Sequence, residues 1–245
     1  MLCGIRFTSS VCREGGKLRR LKKSLTITVD GPAGAGKSTV SKRLADRLSY
    51  TYVDTGALYR VVAFLAEREG LTERDTERLR FLCENSDIRF TKGRVSSVLA
   101  EGVDVTEEIR TPRISMLASK LSALPAVRAG LLSVQRNMAK KGGVVAEGRD
   151  MGTVVFPQAD LKFFLDAAVD ERARRRFEEL RRNGFTASFE EVRRQIVERD
   201  DQDRSRDLSP LKPADDAVII DSTACSVEEV VERMMGYVLR TGQKR

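Results

Sequence analysis

The feature that most constrains this chain is a short β-branched segment that runs directly into a glycine-rich loop and a helix. Residues 25–30 read L-T-I-T-V-D, and residues 31–38 read G-P-A-G-A-G-K-S. The loop matches the pattern G-x-x-x-x-G-K-[ST], in which main-chain N–H groups surround phosphate oxygens. It stands after a predicted strand and opens a helix, whose positive N-terminal end attracts anions. The sequence therefore predicts binding of a nucleoside triphosphate.

Each part of this loop has a chemical task. The glycines let the main chain approach the phosphates, and the ammonium of Lys37 reaches the β- and γ-phosphates. The hydroxyl of Ser38 is the expected protein ligand of Mg²⁺, with nucleotide oxygens and water as the other ligands. The sequence contains no N-K-x-D motif, which GTPases need to read guanine. The residues predicted to contact the nucleotide are Gly31, Pro32, Ala33, Gly34, Ala35, Gly36, Lys37, Ser38 and Thr39.

Short apolar segments alternate with helical ones along most of the chain. This pattern is typical of a parallel, doubly wound α/β sheet. The last helix opens with a capping box formed by Ser226 and Glu229. We therefore expect an α/β fold whose five-stranded parallel sheet is flanked by helices. The predicted strands cover 25–30, 50–54, 144–146, 161–165 and 217–220.

Residues from about 72 to 140 break the alternation. Three short strands with turns at Lys92-Gly93 and Glu101-Gly102 predict a small antiparallel sheet. Thr111-Pro112 is typical of a helix start, and the helix that follows is expected to be interrupted at Pro125. We expect one large domain over 24–245, with its core in 24–71 and 141–245, an inserted lobe in about 72–140 and a short helical lid in about 170–190.

The composition excludes several classes of protein. The chain has 245 residues, of which 41% are hydrophobic and 33% charged, so it can bury a core. It has no uninterrupted apolar run of about eighteen residues, which argues against a membrane span. It contains no histidine, so imidazole is excluded as a general base and as a metal ligand. The cysteines are far apart, which disfavours zinc and suits reduced thiols in the cytoplasm: Cys3, Cys12, Cys83 and Cys225.

The net charge of +8 comes mostly from the first 23 residues. They hold seven basic residues and one glutamate, a net charge of +6. The segment lacks the apolar stretch and cleavage site of a signal peptide. We expect residues 1–23 to be a flexible basic tail. The remaining charge does not by itself indicate a nucleic-acid-binding protein.

Two segments after predicted strands carry groups that suit a second phosphate. Thr55 begins a helix, and Tyr59 and Arg60 lie in its first turn, where an arginine can hold a phosphate bidentately. Arg149 and Asp150 follow the third strand and are expected to face the same crevice. The alternative in both places is an ordinary turn with solvated charges.

Arginines are concentrated in the predicted lid. Arg172, Arg174, Arg175 and Arg176 are expected to flank or oppose the apolar face of their helix. They form either a solvated face or the arginines of a lid that closes on ATP phosphates. The acid–base run over 199–206 is expected to be a surface ion-pair network.

Taken together, these segments resemble bacterial cytidylate kinase, a family of the nucleoside monophosphate kinase group. The resemblance covers about residues 25–240 and includes an insert like the CMP-binding lobe of the bacterial type. It departs from the family at Ala33, where serine is frequent, and at Ser38, where glycine is frequent. The strings that carry the resemblance are G-P-A-G-A-G-K-S-T, D-T-G-A-L-Y-R, E-G-R-D-M-G-T-V-V-F-P and E-R-D-D-Q-D-R-S-R.

The resemblance implies a P-loop nucleoside monophosphate kinase fold and transfer of the γ-phosphoryl group of ATP to CMP or dCMP with Mg²⁺. It implies that Ser119, Arg128 and Asp150 read the cytosine edge. Arg60, Arg149 and Arg206 then hold the acceptor phosphate. Asp203 contacts the sugar with Tyr59 nearby, and Arg199 supports Asp203. The remaining implied groups are Thr55 on the CMP side and Lys37, Arg149, Arg172 and Arg175 as catalytic residues.

The mechanism implied by the resemblance needs no histidine, because the attacking phosphate oxygen is already anionic. We expect a monomer in the cytoplasm whose partners are small nucleotides, with no stable nucleic-acid partner and no membrane attachment. Two other functions remain open at this point. One is a kinase for another acceptor such as UMP or AMP on the same fold, and the other is a nucleic-acid-binding ATPase suggested by the basic tail.

Overall fold

The structure is a computed structural model that describes residues 11–14, 17–20, 24–90 and 97–243. The chain divides into two units. We call the first the sheet unit; it consists of Met1–Val53, Lys141–Ser205 and Pro210–Arg245. We call the second the lobe unit; it consists of Asp54–Lys140 and Arg206–Ser209.

The described secondary structure alternates as the sequence predicts. The strands are β1 Val11–Glu14, β2 Lys17–Arg20, β3 Thr26–Asp30, β4 Thr51–Asp54, β5 Ile88–Phe90, β6 Val98–Ala100, β7 Val103–Asp104, β8 Val144–Glu147, β9 Leu161–Asp166 and β10 Val218–Asp221. The α-helices are α1 Lys37–Leu48, α2 Thr55–Arg68, α3 Thr76–Asn85, α4 Pro112–Leu121, α5 Pro125–Met138, α6 Val169–Arg182, α7 Phe189–Ser205 and α8 Val227–Gln243. A 3₁₀ turn covers Glu108–Arg110 and a π-helical turn covers Met151–Val155.

The central sheet has the strand order β10-β9-β3-β8-β4. Strand β3 lies in the middle and pairs in parallel with its neighbours, so that Val29 stands opposite Phe163 of β9 and Glu147 of β8. The predicted five-stranded parallel sheet is confirmed. In such a sheet, ligands bind at the carboxyl ends of the strands, where the strand order changes direction. The glycine-rich loop follows directly from this end of β3.

Helices α1 and α8 supply much of the apolar core of the sheet unit. Leu44 and Leu48 of α1 and Met234 and Val238 of α8 are buried in the same cluster as Ile27 of β3. The period of about 3.6 residues places these side chains on the inner face of each helix. This packing fixes the start of α1, and with it the end of the glycine-rich loop.

The predicted helix starts have the expected caps. The main-chain N–H of Ser226 donates to the Glu229 carboxylate at 2.8 Å, and the N–H of Glu229 donates to the Ser226 hydroxyl at 3.3 Å. The N–H of Ile114 donates to the hydroxyl of Thr111 at 3.3 Å. Pro125 begins a new helix, and α4 and α5 are bent by 100° at this break. The interruption predicted at Pro125 is therefore confirmed.

The lobe unit reaches further back in the chain than the expected boundary at residue 72. It begins at Asp54 and includes α2. Leu58 and Val62 of α2 are completely buried in one cluster with Ile114 and Leu131. Because α2 places its apolar face in this cluster, it belongs with the helices of the lobe. The predicted antiparallel sheet is present as β5-β6-β7, although residues 91–96 lie outside the described part of the chain.

The basic N-terminal segment contains regular structure that we did not expect. Strands β1 and β2 pair antiparallel, with Val11 opposite Arg20. Two adjacent glycines, Gly15 and Gly16, separate the strands in the sequence. The other residues of the expected tail, 1–10, 15–16 and 21–23, lie outside the described residues.

Of the helices described, none alone has the length and apolar composition to cross a membrane. Only α4 and α5 together, across their bend, have a length and composition that could do so.

Two helical glycines predict opposite effects of the same substitution. A Cβ at Gly130 of α5 would lie 2.7 Å from Cβ of Cys83 and 3.3 Å from the Arg80 carbonyl. A Cβ at Gly236 of α8 would meet only the flexible Arg240 guanidinium, at 3.6 Å. Gly130→Ala should lower the free energy of unfolding by about 1–3 kcal/mol because it overpacks α3 against α5.

Gly236→Ala is the control and should raise the free energy of unfolding by about 0.5–1 kcal/mol, since alanine loses less entropy in a helix. Urea unfolding monitored by circular dichroism measures both. Equal stabilisation by the two substitutions would show that α3 and α5 do not approach as closely as described.

Candidate active site

The path of the glycine-rich loop is possible only with glycine at two close contacts. Gly31 and Gly34 have φ values of 145° and 75°. A Cβ at Gly31 would lie 2.0 Å from the carbonyl oxygen of Leu165 at the end of β9. A Cβ at Gly34 would lie 2.8 Å from the carbonyl oxygen of Arg172 in α6. A side chain would push the loop away from β9 at Gly31 and away from α6 at Gly34.

Three side chains from other parts of the sheet unit donate hydrogen bonds to carbonyl oxygens of the loop. Arg172 donates to the carbonyl of Ala33 at 3.1 Å, and Arg175 donates to that of Ala35 at 3.4 Å. The hydroxyl of Ser222, at the end of β10, also donates to Ala35, at 3.2 Å. These bonds hold the loop in one conformation. Its N–H groups, together with the N-terminus of α1, suit a bound phosphate chain.

Lys37 is buried at the first position of α1. Its ammonium donates to the carbonyl oxygen of Pro32 at 2.6 Å, so it stands against the loop that it follows. Burial, and to a lesser degree the positive charge of Arg149, lower its pKa to about 7, and the carboxylate of Glu147 acts in the opposite direction. A buried lysine with this pKa gains its proton most easily when an anion binds beside it.

Several predicted residues surround Lys37. The charges of Arg149, Arg199, Glu147 and Asp203 all act on its ammonium. Arg149 donates through Nε to the carboxylate of Asp203 at 2.9 Å, and this ion pair is largely buried. The structure therefore brings together residues that the sequence separates by more than one hundred positions. Arg149 comes from one string of the predicted site, and Arg199 and Asp203 come from another.

Glu147 ends β8 next to this group. It is buried and accepts a hydrogen bond from the hydroxyl of Tyr52 on β4. Tyr52 is a contact that sequence reasoning missed, because an aromatic residue in a strand normally indicates core packing.

Asp30 is a buried acid next to the glycine-rich loop that sequence reasoning missed. It accepts hydrogen bonds from the main-chain N–H groups of Met151 and Gly152 at 2.8 and 2.7 Å. Burial raises its pKa to about 6, although these two donors and the charge of Lys37 act in the opposite direction. The π-helical turn that Asp30 holds follows directly after Asp150, which is itself buried. The missed signal was a carboxylate at a strand end beside the glycine-rich loop.

In the lobe unit, Asp54 caps the N-terminus of α2. Its carboxylate accepts from the N–H of Ala57 at 2.9 Å and from the guanidinium of Arg60 at 3.0 Å. The predicted phosphate-binding arginine is thus held over the first turn of α2. Thr55, at the same helix start, is buried, and Tyr59 is half-buried.

Ser122 links the other predicted residues of the lobe unit. The guanidinium of Arg128 lies 5.8 Å from the ring centre of Tyr59 and donates to the carbonyl of Ser122 at 3.1 Å. The hydroxyl of Ser122 accepts from Arg206 at 3.3 Å and donates to the carbonyl of Ser119 at 2.8 Å. Three predicted acceptor residues therefore contact a serine that the sequence patterns did not single out, and a fourth, Tyr59, lies beside Arg128.

The structure corrects two expectations about charged residues. Arg172 does not lie on a solvated face of α6; it is 1% exposed, and its guanidinium lies 2.6 Å from the equally buried carboxylate of Asp200. The run over 199–206 is not wholly a surface network, since Asp200 and Asp203 are both buried. The reason is pairing: each carboxylate faces an arginine, and a buried charge is tolerated when it has a partner of opposite sign.

The donor set suits a hydrated Mg²⁺. Ser38 follows Lys37 in the first turn of α1 and is exposed. Within the described residues no group of three or more cysteine or acidic side chains could hold a metal ion. A single hydroxyl beside a phosphate-binding loop is what Mg²⁺ needs when nucleotide oxygens and water supply the other ligands.

A family model described as cytidylate kinase matches residues 27–240. This span contains the glycine-rich loop, Lys37 and all the predicted acceptor residues. The chain belongs to the cytidylate kinase family. The resemblance found in the sequence is thereby confirmed, and with it the expected ATP-dependent phosphotransferase.

Individual members of the cytidylate kinase family are similar over nearly their whole length. Cytidylate kinase from Geobacter sulfurreducens is 50% identical over 218 residues, which are 89% of this chain and 94% of that protein. Cytidylate kinase 1 from Haemophilus influenzae is 45% identical over 220 residues, which are 89% of this chain and 95% of that protein. Among solved structures, shikimate kinase from Acinetobacter baumannii in complex with shikimate aligns with a TM-score of 0.47 and 16% identity, over 91% of this chain and 98% of that chain.

The lowered pKa of Lys37 predicts that ATP binding takes up a proton. Below pH 7 the lysine is already protonated, so uptake should be small at pH 6 and should approach one proton per site at pH 8. The reason is that bound phosphates raise the pKa of the buried ammonium from about 7. Calorimetry in buffers with different ionisation enthalpies measures this uptake.

Lys37→Met should abolish the uptake at pH 8, whereas Lys42→Met, an exposed lysine on the same helix, should leave it unchanged. Uptake that persists in Lys37→Met would assign the proton to another group.

Proposed function

We propose that this chain transfers the γ-phosphoryl group of ATP to CMP or dCMP, and that the residues around Lys37 carry out the transfer. The observation that carries the proposal is the position of Lys37. It stands against the glycine-rich loop and also within the influence of Arg149, Arg199 and Asp203, which belong to the predicted acceptor site. One buried ammonium is thus shared by the donor and acceptor sides.

On the donor side, the loop from Gly31 to Ser38, with Thr39 after it, binds the phosphates of ATP. Lys37 neutralises the charge that develops on the transferred group, and its burial strengthens that interaction. Arg172 and Arg175 hold the loop through its carbonyl oxygens in this structure. Their predicted contact with the phosphates remains a proposal; Arg175, which is less buried than Arg172, is the better candidate for it.

Ser38 is the proposed protein ligand of Mg²⁺, which when bound supplies positive charge to the phosphate oxygens. The exposed position of Ser38 leaves room for the water molecules that this ion keeps.

On the acceptor side, Ser119, Arg128 and Asp150 recognise cytosine. Thr55, Arg60, Arg149 and Arg206 bind the phosphate of CMP. Asp203, with Tyr59 and Arg199, positions the sugar. Support for this assignment comes from the contacts already described, which hold Arg60 on Asp54, Arg149 on Asp203, and both Arg128 and Arg206 on Ser122. Arginines held in this way lose little entropy when they bind a phosphate.

The reaction needs no general base, because the attacking oxygen belongs to an anionic phosphate. Catalysis then consists of placing this oxygen in line with the γ-phosphate and stabilising the charge of the transition state. The absence of histidine from the sequence is consistent with such chemistry. We further propose that the protein acts as a monomer in the cytoplasm, without a nucleic-acid partner.

An assay of ADP release with CMP, dCMP, UMP and AMP tests the proposed function. CMP and dCMP should be phosphorylated with much higher kcat/KM than UMP and AMP, and Lys37→Met should abolish turnover. A kcat/KM for UMP or AMP equal to that for CMP would contradict the proposal and favour a kinase for another acceptor. ATP hydrolysis stimulated by RNA, in the absence of any nucleoside monophosphate, would favour the nucleic-acid-binding ATPase.

Asp150→Asn should narrow the preference for CMP over UMP. The carboxylate can accept a hydrogen bond from the cytosine amino group but faces the O4 acceptor of uracil unfavourably, whereas an amide can donate to O4. We expect kcat/KM for CMP to fall by about 10- to 100-fold, as a lost buried hydrogen bond to a charged group implies. The value for UMP should change less.

Asp201→Asn is the matched control, because Asp201 is exposed on α7. It should leave both kcat/KM values unchanged. If Asp150→Asn also leaves the CMP/UMP ratio unchanged, Asp150 does not read the base.

A further inference from the structure

We propose that Asp30 is a positioning residue for CMP. It holds the acceptor loop, Gly148–Gly152, by accepting two main-chain hydrogen bonds from it. The inference rests on the proposed function, in which Arg149 and Asp150 of this loop bind the acceptor. It assigns a role to a buried acid that immediately precedes the ATP-binding loop and that the mechanism so far does not use.

The geometry shows that both oxygens of Asp30 are engaged by the acceptor loop. Oδ1 accepts from the N–H of Met151 at 2.8 Å, and Oδ2 accepts from the N–H of Gly152 at 2.7 Å. The residue is only 4% exposed. A carboxylate with both oxygens engaged in this way acts as an anchor for the main chain of the loop.

Only an ionised carboxylate satisfies two converging N–H groups equally. Asparagine at this position accepts one of them and directs its own NH₂ group at the other, which leaves buried donors without an acceptor. The loop would then shift at Met151 or Gly152. Because Asp150 immediately precedes this pair and Arg149 precedes Asp150, such a shift displaces both proposed CMP ligands.

The acceptor loop is also closely packed at Gly152. A Cβ at Gly152 would lie 3.1 Å from Cδ of Lys162, 3.1 Å from the hydroxyl of Thr28 and 3.3 Å from Oδ2 of Asp30. The ammonium of Lys162 donates to the carbonyl of Pro157 at 2.8 Å and so holds the chain beyond the π-helical turn. The segment is therefore fixed at two points by charged residues of the neighbouring strands β3 and β9.

Asp160 provides a matched control, because it contacts the opposite end of β3 from Asp30. Its Oδ2 accepts from the N–H of Thr26, the first residue of β3, at 2.8 Å. Asp160 thus ties a main-chain N–H by the same chemistry as Asp30, far along β3 from the glycine-rich loop. Asparagine can keep this single hydrogen bond through its amide oxygen, so Asp160→Asn removes a carboxylate beside β3 without freeing a main-chain N–H.

The experiment compares Asp30→Asn with Asp160→Asn in the full chain. Steady-state kinetics with ATP and CMP varied in turn, together with direct measurement of ATP binding, give a separate readout for each substrate. For Asp30→Asn we expect kcat/KM for CMP to fall by about 10- to 100-fold, while the Kd for ATP changes by less than about 3-fold. For Asp160→Asn we expect both quantities to stay within about 3-fold, whatever its melting temperature.

A second variant approaches the same contact from the loop. Gly152→Ala leaves Asp30 intact but pushes its methyl group against Asp30, Thr28 and Lys162, and it should raise the KM for CMP as Asp30→Asn does. Should Asp30→Asn fail to fold, as judged by circular dichroism, Gly152→Ala decides the question.

The inference is overturned if the folded Asp30→Asn and Gly152→Ala variants keep the wild-type kcat/KM for CMP. It is also overturned if Asp30→Asn weakens ATP binding as much as it weakens the use of CMP, because Asp30 would then act on the donor loop alone. Neither outcome affects the proposed function, which instead fails if the wild-type protein does not phosphorylate CMP.

Discussion

The close approach of the glycine-rich loop to the end of β9 is the contact on which the rest of the site depends. Gly31, the first residue after β3, lies so close to the Leu165 carbonyl that no residue with a side chain could replace it. This path brings the loop next to α6, where Arg172 and Arg175 donate hydrogen bonds to its carbonyl oxygens. It also sets where α1 begins, and therefore where Lys37 stands. A loop further from the sheet would lose the arginines, the buried lysine and the phosphate-binding conformation together.

Buried charges beside this loop are arranged in pairs. Arg172 pairs with Asp200 and Arg149 with Asp203, while Asp30 is satisfied by two main-chain N–H groups. Burial of an unpaired charge would be costly, and a pair mainly offsets that cost rather than adding stability. What such pairs supply is a defined orientation for each guanidinium. A phosphotransferase benefits from this arrangement, because its catalysis depends on positioned charges more than on proton transfer.

The elements of the sheet and most of the site could be predicted from the sequence because their signals are local. The apolar segment before Gly31 predicts β3, and Ser226 with Glu229 marks the start of α8. Other features escaped prediction because they depend on contacts across long separations in the chain. The alternation of charge and apolar residues in α6 gave no sign that Arg172 is buried, since Asp200 lies on another helix. Ser122 has no motif of its own and is recognised only by the arginines that reach it.

The sequence by itself determined the order of strands and helices, the family, the phosphate-binding loop and the nucleotide-binding residues to expect. These depend on residue types at short spacings, which restrict the backbone wherever they occur. The tertiary structure alone decided that α2 belongs with the lobe unit, that Asp200 and Asp203 are buried, and that Asp30 holds the loop carrying Arg149 and Asp150. Burial and hydrogen bonding of this kind are properties of two segments at once. They are set only when the parallel sheet has placed the ends of β3 and β8 side by side.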